Sequence, residues 1–248
     1  MFTAYVLLGI VLSGLFTPQE RNSMSIDQAF NESYRYYDEW MMKALPNYGE
    51  LFATATDLPT FDTNDSINVL DLGAGTGLFS MHIFQRYAKA KFVLCDVAEK
   101  LLDIAKERFA NNASQFEYLV QDYRTLAGRN EYDLILSSLS IHHLEHEEKA
   151  ALFMNIYQLL KPNGVFINVD QIHGETQMIR DYYWNHWLKR VRDAGAEEDR
   201  IMESINRRVT FDKDATMSDQ IQWLKESGFT HVDCVYKNHF VGVFWAVK

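Results

Sequence analysis

Between residues 67 and 170 the chain switches repeatedly between two hydrophobic periods. Short apolar runs at 68–72, 91–96, 116–120, 132–137 and 165–170 have the length and β-branched content of buried strands. Between them lie segments of helical spacing. Residues 98–111 place Leu101, Leu102, Ala105 and Phe109 on one face, and residues 147–160 do the same with Leu152, Phe153, Ile156, Leu159 and Leu160. Strands alternating with helices predict a parallel sheet. Lys161-Pro162-Asn163-Gly164 predicts a turn into the fifth strand. Residues 174–206 break the alternation and read as extra helices bearing Met178, Tyr182, Tyr183, Trp184, Trp187 and Leu188. A last helix, about 217–227, leads to Gly228, and two strands, 231–236 and 240–247, are expected to meet at Lys237-Asn238. Ahead of the sheet, residues 25–58 read as helical, with Ile26, Phe30, Tyr34, Tyr37 and Met41 three or four apart, and 60–66 as a polar loop.

Composition narrows the class. The chain has 248 residues, 47% of them hydrophobic, which suits one α/β domain with insertions. A formal net charge of −10 argues against nonspecific nucleic-acid binding, because the basic pairs Lys189-Arg190 and Arg207-Arg208 are too short to make a basic face. Two cysteines, Cys95 and Cys234, are too few for a disulfide framework and point to a reducing, cytoplasmic setting. The apolar run 5–16 is short for a membrane span and has no Lys or Arg before it. Residues 1–23 are therefore set apart as an N-terminal extension, with Met24 as the expected start of a single domain, 24–248. Weak N-terminal membrane association is the alternative.

The chemistry starts at Val69-Leu70-Asp71-Leu72-Gly73-Ala74-Gly75-Thr76-Gly77, a buried strand entering a glycine-rich turn and then a helix. Glycines permit positive φ and a close backbone approach, and the helix start presents free N–H groups. Asp71 suits a cationic amino group better than a pyrophosphate. The stretch resembles the first motif of class I S-adenosylmethionine (SAM) dependent methyltransferases. The nicotinamide fingerprint G-x-G-x-x-G fits less well, since Leu78 stands at its last position. Three further motifs extend the resemblance: Phe92-Val93-Leu94-Cys95-Asp96, Tyr118-Leu119-Val120-Gln121-Asp122-Tyr123, and residues 132–144 with Ser137 and the run Ile141-His142-His143-Leu144. It covers about 67–170 strongly and the remainder in outline.

The resemblance implies a Rossmann-like, doubly wound α/β fold. Its sheet is mostly parallel and seven-stranded with a reversed last strand, with N-terminal helices before it and a helical insertion after strand five. It implies SAM as cofactor and S-adenosylhomocysteine as product. The cofactor residues it assigns are Asp71, Gly73, Ala74, Gly75, Thr76 and Gly77 at the methionine end. Asp96 with Val97 falls at the ribose, Asp122 with Tyr123 at the adenine, and Ser137 at the end of strand four. Tyr37, within Tyr36-Tyr37-Asp38-Glu39-Trp40, resembles the entry segment that closes over SAM.

The helical segments 25–58 and 174–206 fall where this family caps its pocket, and both are aromatic-rich. Tyr34, His173, Tyr183, Trp184 and Trp187 are the expected acceptor-pocket residues, because aromatic faces exclude water and favour a sulfonium. They read equally well as packing faces of helices. His142 is the candidate general base, needed only if the acceptor loses a proton, with His143, His173 and Asp170 behind it. His142, His143 and His146 beside Glu145, Glu147 and Glu148 lack H-E-x-x-H, and no metal is expected. The family's DNA-adenine motif after strand four is absent, since Ser137-Ser138-Leu139-Ser140 stands there. A small-molecule acceptor is the resulting expectation. The alternatives are a SAM-modifying enzyme of the same fold, using an arginine such as Arg35, Arg124 or Arg180, and a non-catalytic SAM-binding or regulatory protein.

Overall fold

The computed structural model describes Ser25 and residues 37–248. The extension 1–23 and the positions Ile26, Phe30, Tyr34, Arg35 and Tyr36 lie outside the described residues. Helix α1 (Tyr37–Ala44) and helix α2 (Tyr48–Asp57) precede strand β1 (Asn68–Leu72). They correct the expectation of one helical segment through residue 58. Pro46 lacks the N–H a helix interior needs, and Asn47 takes a left-handed φ of 50°. From β1 the alternation runs α3 (Leu78–Arg86), β2 (Lys91–Asp96), α4 (Glu99–Arg108), β3 (Phe116–Val120), β4 (Tyr132–Ser138), α5 (His146–Leu159) and β5 (Leu160–Gln171). Then come α6 (Gln177–Asp193), α7 (Glu198–Phe211), α8 (Met217–Glu226), β6 (His231–Asn238) and β7 (Val241–Val247).

The seven strands lie in the order β3-β2-β1-β4-β5-β7-β6. The first five are mutually parallel, and β7 runs antiparallel to both β5 and β6. This is the expected doubly wound sheet with a reversed last strand. The β6–β7 turn falls later than expected: Asn238 pairs with Val241, leaving His239-Phe240 as the loop, with His239 at φ 54°. The Pro162–Gly164 turn lies within the bounds of β5 as a bulge, between the pairs Tyr132–Leu160 and Leu134–Val165.

Strand alternation divides the core. Val69, Phe92, Leu94, Leu134, Leu136 and Ile167 pack under α2, α3, α4 and the α6–α7 pair. Leu70, Leu72, Cys95, Ile135 and Phe166 pack on the other face, under α5 and α8. Both faces are covered, which is why these strands read as nearly continuous apolar runs. Among the described residues, no helix is long and apolar enough to cross a membrane.

Candidate functional site

The sheet order reverses at β1, flanked by β2 on one side and β4 on the other, and in such sheets the ligand crevice opens at the strands' carboxyl ends. Here the glycine turn leaves β1. Gly73, Gly75 and Gly77 all have positive φ, at 67°, 54° and 73°. Gly73 and Ala74 donate their N–H groups to the Cys95 carbonyl at 2.8 and 3.1 Å, which pulls the turn toward the end of β2. Asp96 completes the junction. One carboxylate oxygen accepts from the Gly75 N–H and the other from the Ala98 N–H, both at 2.8 Å.

The three glycines are required for different reasons. A Cβ at Gly73 would lie 1.9 Å from Ser140 Oγ, in the loop after β4. A Cβ at Gly77 would lie 2.7 Å from the Phe109 ring. Around Gly75 the nearest atom is Leu101 Cδ1 at 3.8 Å. Protein therefore fills the space beside Gly73 and Gly77, whereas a Cβ at Gly75 would meet only the Leu101 side chain, at ordinary contact distance. This uncrowded backbone, next to the Asp96 carboxylate and an exposed Val97, suits the close approach of a nucleoside-bearing cofactor.

The remaining residues expected at the cofactor are placed as follows. Asp71 points beneath the turn into the β1–α3 interface, where it is buried and accepts from Ser80 Oγ at 2.7 Å. Burial pushes its carboxyl up to about 6. Thr76 is buried and donates to Asp38 of α1 at 2.7 Å, and Asp38 also pairs with Arg108. Asp122 caps the turn Tyr123–Thr125, accepting from the Arg124 N–H at 2.9 Å. Arg124 also bridges Asp122 to Glu148 and holds the Asp122 carboxyl below its usual range. Tyr123 packs beside Gly73 and shares a hydroxyl contact with Ser140 at 3.2 Å. Ser137 is buried and donates to the Leu72 carbonyl at 2.9 Å, so its hydroxyl ties β4 to β1. Tyr37 stands at the start of α1, in the field of Asp96 and Arg207, and burial raises its phenol well above the ordinary value.

The cap helices enclose two cavities. One of about 380 Å³ lies between α1 and α7 and is lined by Tyr37, Trp40, Lys43, Arg200, Ser204 and Arg207 among others. A smaller one, about 60 Å³, shares Tyr37, Trp40 and Arg207 and reaches Leu139, His142 and Asp212. Neither cavity borders the glycine turn; Tyr37 joins them to the cofactor end through its proximity to Asp96.

Of the expected pocket aromatics, Trp187 is buried and lines the small cavity. Trp184 packs with it, and both rings carry the Arg208 guanidinium, 5.5 and 5.1 Å from their centroids. Tyr183 lies outside the two cavities and accepts from Lys237 at 2.7 Å. His173 also lies away from both, paired through its backbone with Ala215 and Thr216. Arg124 is committed to carboxylates and Arg180 donates to the Gly174 carbonyl, so neither described candidate arginine reaches a cavity; Arg207 lines both.

His142 is not an open loop side chain. It is 3% exposed, with Nδ1 2.6 Å from Asp170 and Nε2 2.9 Å from the Gln171 amide nitrogen. Burial opposes its charge, but Asp212 and Asp170 outweigh burial and raise its pKa. His143 lies 3.2 Å from Asp212; burial, reinforced by His142, lowers it to about 4. His146 points elsewhere, to the Asp214 carbonyl and the Trp223 ring. The structure instead gathers His142, His143 and Asp212, whose donor atoms lie within 4.8 Å of one another. Sequence reasoning missed Asp212, Gln171 and Arg208. The available signal was the polar pair Asp170-Gln171 inside the apolar run 165–172.

The sheet order is that of the Rossmann-like methyltransferase fold. Residues 69–164 match the methyltransferase domain family. Over those residues the chain carries a SAM-dependent methyltransferase domain, whose cofactor is SAM. It is 30% identical to the phosphoethanolamine N-methyltransferase of Plasmodium falciparum, over 62% of this chain and 60% of that enzyme. It is 21% identical to the carboxy-S-adenosyl-L-methionine synthase of Nautilia profundicola, over 86% of this chain and 90% of that protein. Its fold is similar to that of the 1,6-didemethyltoxoflavin-N1-methyltransferase of Burkholderia thailandensis, with a TM-score of 0.63 and 16% identity over 94% and 91% of the two chains.

Proposed function

We propose that this chain transfers a methyl group from SAM to a small-molecule acceptor by direct in-line displacement. The observation that carries this reading is the uncrowded glycine backbone at Gly75, bonded to Asp96 at the carboxyl ends of β1 and β2. In this assignment the turn from Gly73 to Gly77, with Ala74 and Thr76, takes the methionine part. Asp96 accepts the ribose hydroxyls, Val97 covers the base, and Asp122 and Tyr123 meet its edge. Asp71 lies under the turn and supports the methionine end from below, and Ser137 fixes the end of β4. Tyr37 separates the cofactor from the cap cavities, where the acceptor sits against Trp40, Trp187 and Arg207. Domain 24–248 works as one unit, in the cytoplasm, where Cys95 and Cys234 stay free thiols.

SAM supplies an already activated methyl, so the protein's part is alignment and exclusion of water, and alignment contributes up to ~7–11 kcal/mol in favourable models. His142, oriented by Asp170, is the candidate base at the acceptor end. His142→Ala should leave SAM affinity unchanged and lower turnover; a loss of SAM binding in that variant would instead assign His142 a structural role. The reading is tested with methyl-labelled SAM and a panel of hydroxylated and amino small molecules. Label in an acceptor, with S-adenosylhomocysteine released in equal amount, supports it. A second reading is favoured by the match to nine-tenths of a carboxy-SAM synthase: the chain modifies SAM itself. An adenosyl product heavier than SAM, with no labelled acceptor, would select that reading.

A further inference from the structure

We propose that His142, His143 and Asp212 form a binding site for a first-row transition-metal dication of the zinc or iron(II) type. Two imidazoles and one carboxylate make a donor set suited to such ions and poorly suited to magnesium or calcium, which prefer all-oxygen shells. The spacing fits. Two donors bound at about 2.0–2.2 Å in tetrahedral geometry stand roughly 3.4 Å apart. Asp212 Oδ1 is 3.6 Å from His142 Nε2 and 3.2 Å from His143 Nδ1.

Three further features support it. Asp170 lies 2.6 Å from His142 Nδ1, the carboxylate–histidine arrangement that fixes a ligating ring with its lone pair on Nε2. Asp212 divides its two oxygens. Oδ2 takes the Gln171 amide at 2.9 Å and stands 3.5 Å from Arg208, which leaves Oδ1 facing the histidines. Gln171 Oε1 is buried, borders the same cavity and finds no hydrogen-bond partner among the described residues. In its present orientation the Gln171 amide directs Nε2 at His142 Nε2 and Asp212 Oδ2. Rotating the amide would bring Oε1 to that side, where a carbonyl among acceptors is favourable when a cation lies between them.

The cavity of about 60 Å³ has room for an ion with one or two waters, each worth roughly 30 Å³ of liquid. Its other walls are Tyr37, Trp40, Leu139 and Arg207, so the open coordination positions face the place assigned to the acceptor. An ion there would hold an oxygen of the acceptor and lower the pKa of its hydroxyl, in place of proton removal by His142. That role rests on the proposed function; metal binding itself does not.

The test uses the full chain, stripped with a strong chelator and titrated with Co2+ and with Zn2+. SAM binding is measured calorimetrically on the same samples. The expected result is one Co2+ per chain with a ligand-field absorption band, displaced by Zn2+, and a higher melting temperature with either ion. Asp212→Asn should abolish the band, and Asp170→Asn should weaken Co2+ binding about 10–100-fold, with SAM affinity retained in both. Absence of a Co2+ band and of any melting shift in the unmodified chain overturns the inference whatever the variants do. So does an unchanged band in Asp212→Asn. Metal binding without SAM binding would support this site and count against the methyltransferase reading, so the two failures are distinguishable.

Discussion

Asp71 carries a cost that its burial makes measurable. Its carboxyl titrates near 6 in the folded chain against 3.8 as an ordinary side chain. Between those two pH values the folded state holds a proton that the unfolded state has lost, so stability falls as pH rises through the window, by about 3 kcal/mol in full. Asp71→Asn keeps an acceptor for Ser80 and removes the titration. Its stability relative to the unmodified chain should therefore improve steadily from pH 4 to pH 7 in urea unfolding; a constant difference across that range would contradict the assignment. The glycines make a second contrast at this scale. Gly73→Ala drives a methyl into Ser140 and should lower stability by about 1–3 kcal/mol. Gly75→Ala meets only Leu101 at 3.8 Å, so its stability loss should stay near the ~1–2 kcal/mol of a left-handed φ while SAM affinity falls. Equal SAM affinity in Gly75→Ala and the unmodified chain would remove the ligand from that position.

At the scale of elements, α1 is joined to the glycine turn through Asp38, which accepts from Thr76 and pairs with Arg108 of α4. Arg108 also donates to the Thr76 carbonyl at 2.9 Å, so one carboxylate and one guanidinium hold helix, turn and α4 together. Asp38→Ala should cost about 1–3 kcal/mol in denaturant and weaken SAM binding through Tyr37, its neighbour in α1. Unchanged SAM affinity would separate α1 from the cofactor site. The sequence revealed elements of this kind unevenly. Strands β1 and β2 fall at the expected residues because an interior parallel strand is apolar on both faces and bounded by polar turns. The helical stretch before β1 looked continuous because its apolar spacing carries across Pro46, whose effect on the backbone the spacing does not register. The β6–β7 loop was misplaced because Lys237-Asn238 has a turn's composition, whereas pairing continues through Asn238 to Val241.

For the whole molecule, the fold brings together residues that no local pattern connects. The proposed cofactor end was legible because each of its groups stands at a strand end: the glycine turn after β1, Asp96 at the end of β2, Asp122 after β3. The acceptor end was not. Asp212 follows α7, past the segment that breaks the strand–helix alternation, and meets His142 only because Lys213 N–H bonds the His142 carbonyl at 2.8 Å and Lys149 bridges the same loops. Burial of His142 beside Asp170 is likewise a tertiary fact, since a histidine in a loop sequence reads as exposed. The central claim concerns the cofactor end, and calorimetric titration of the full chain with SAM, S-adenosylhomocysteine and NADH tests it most directly, alongside the Asp96→Ala variant. The account predicts saturable binding of both adenosyl ligands, none of NADH, and loss of binding in Asp96→Ala with the fold intact. Binding of NADH alone, or undiminished SAM affinity in Asp96→Ala, would contradict it.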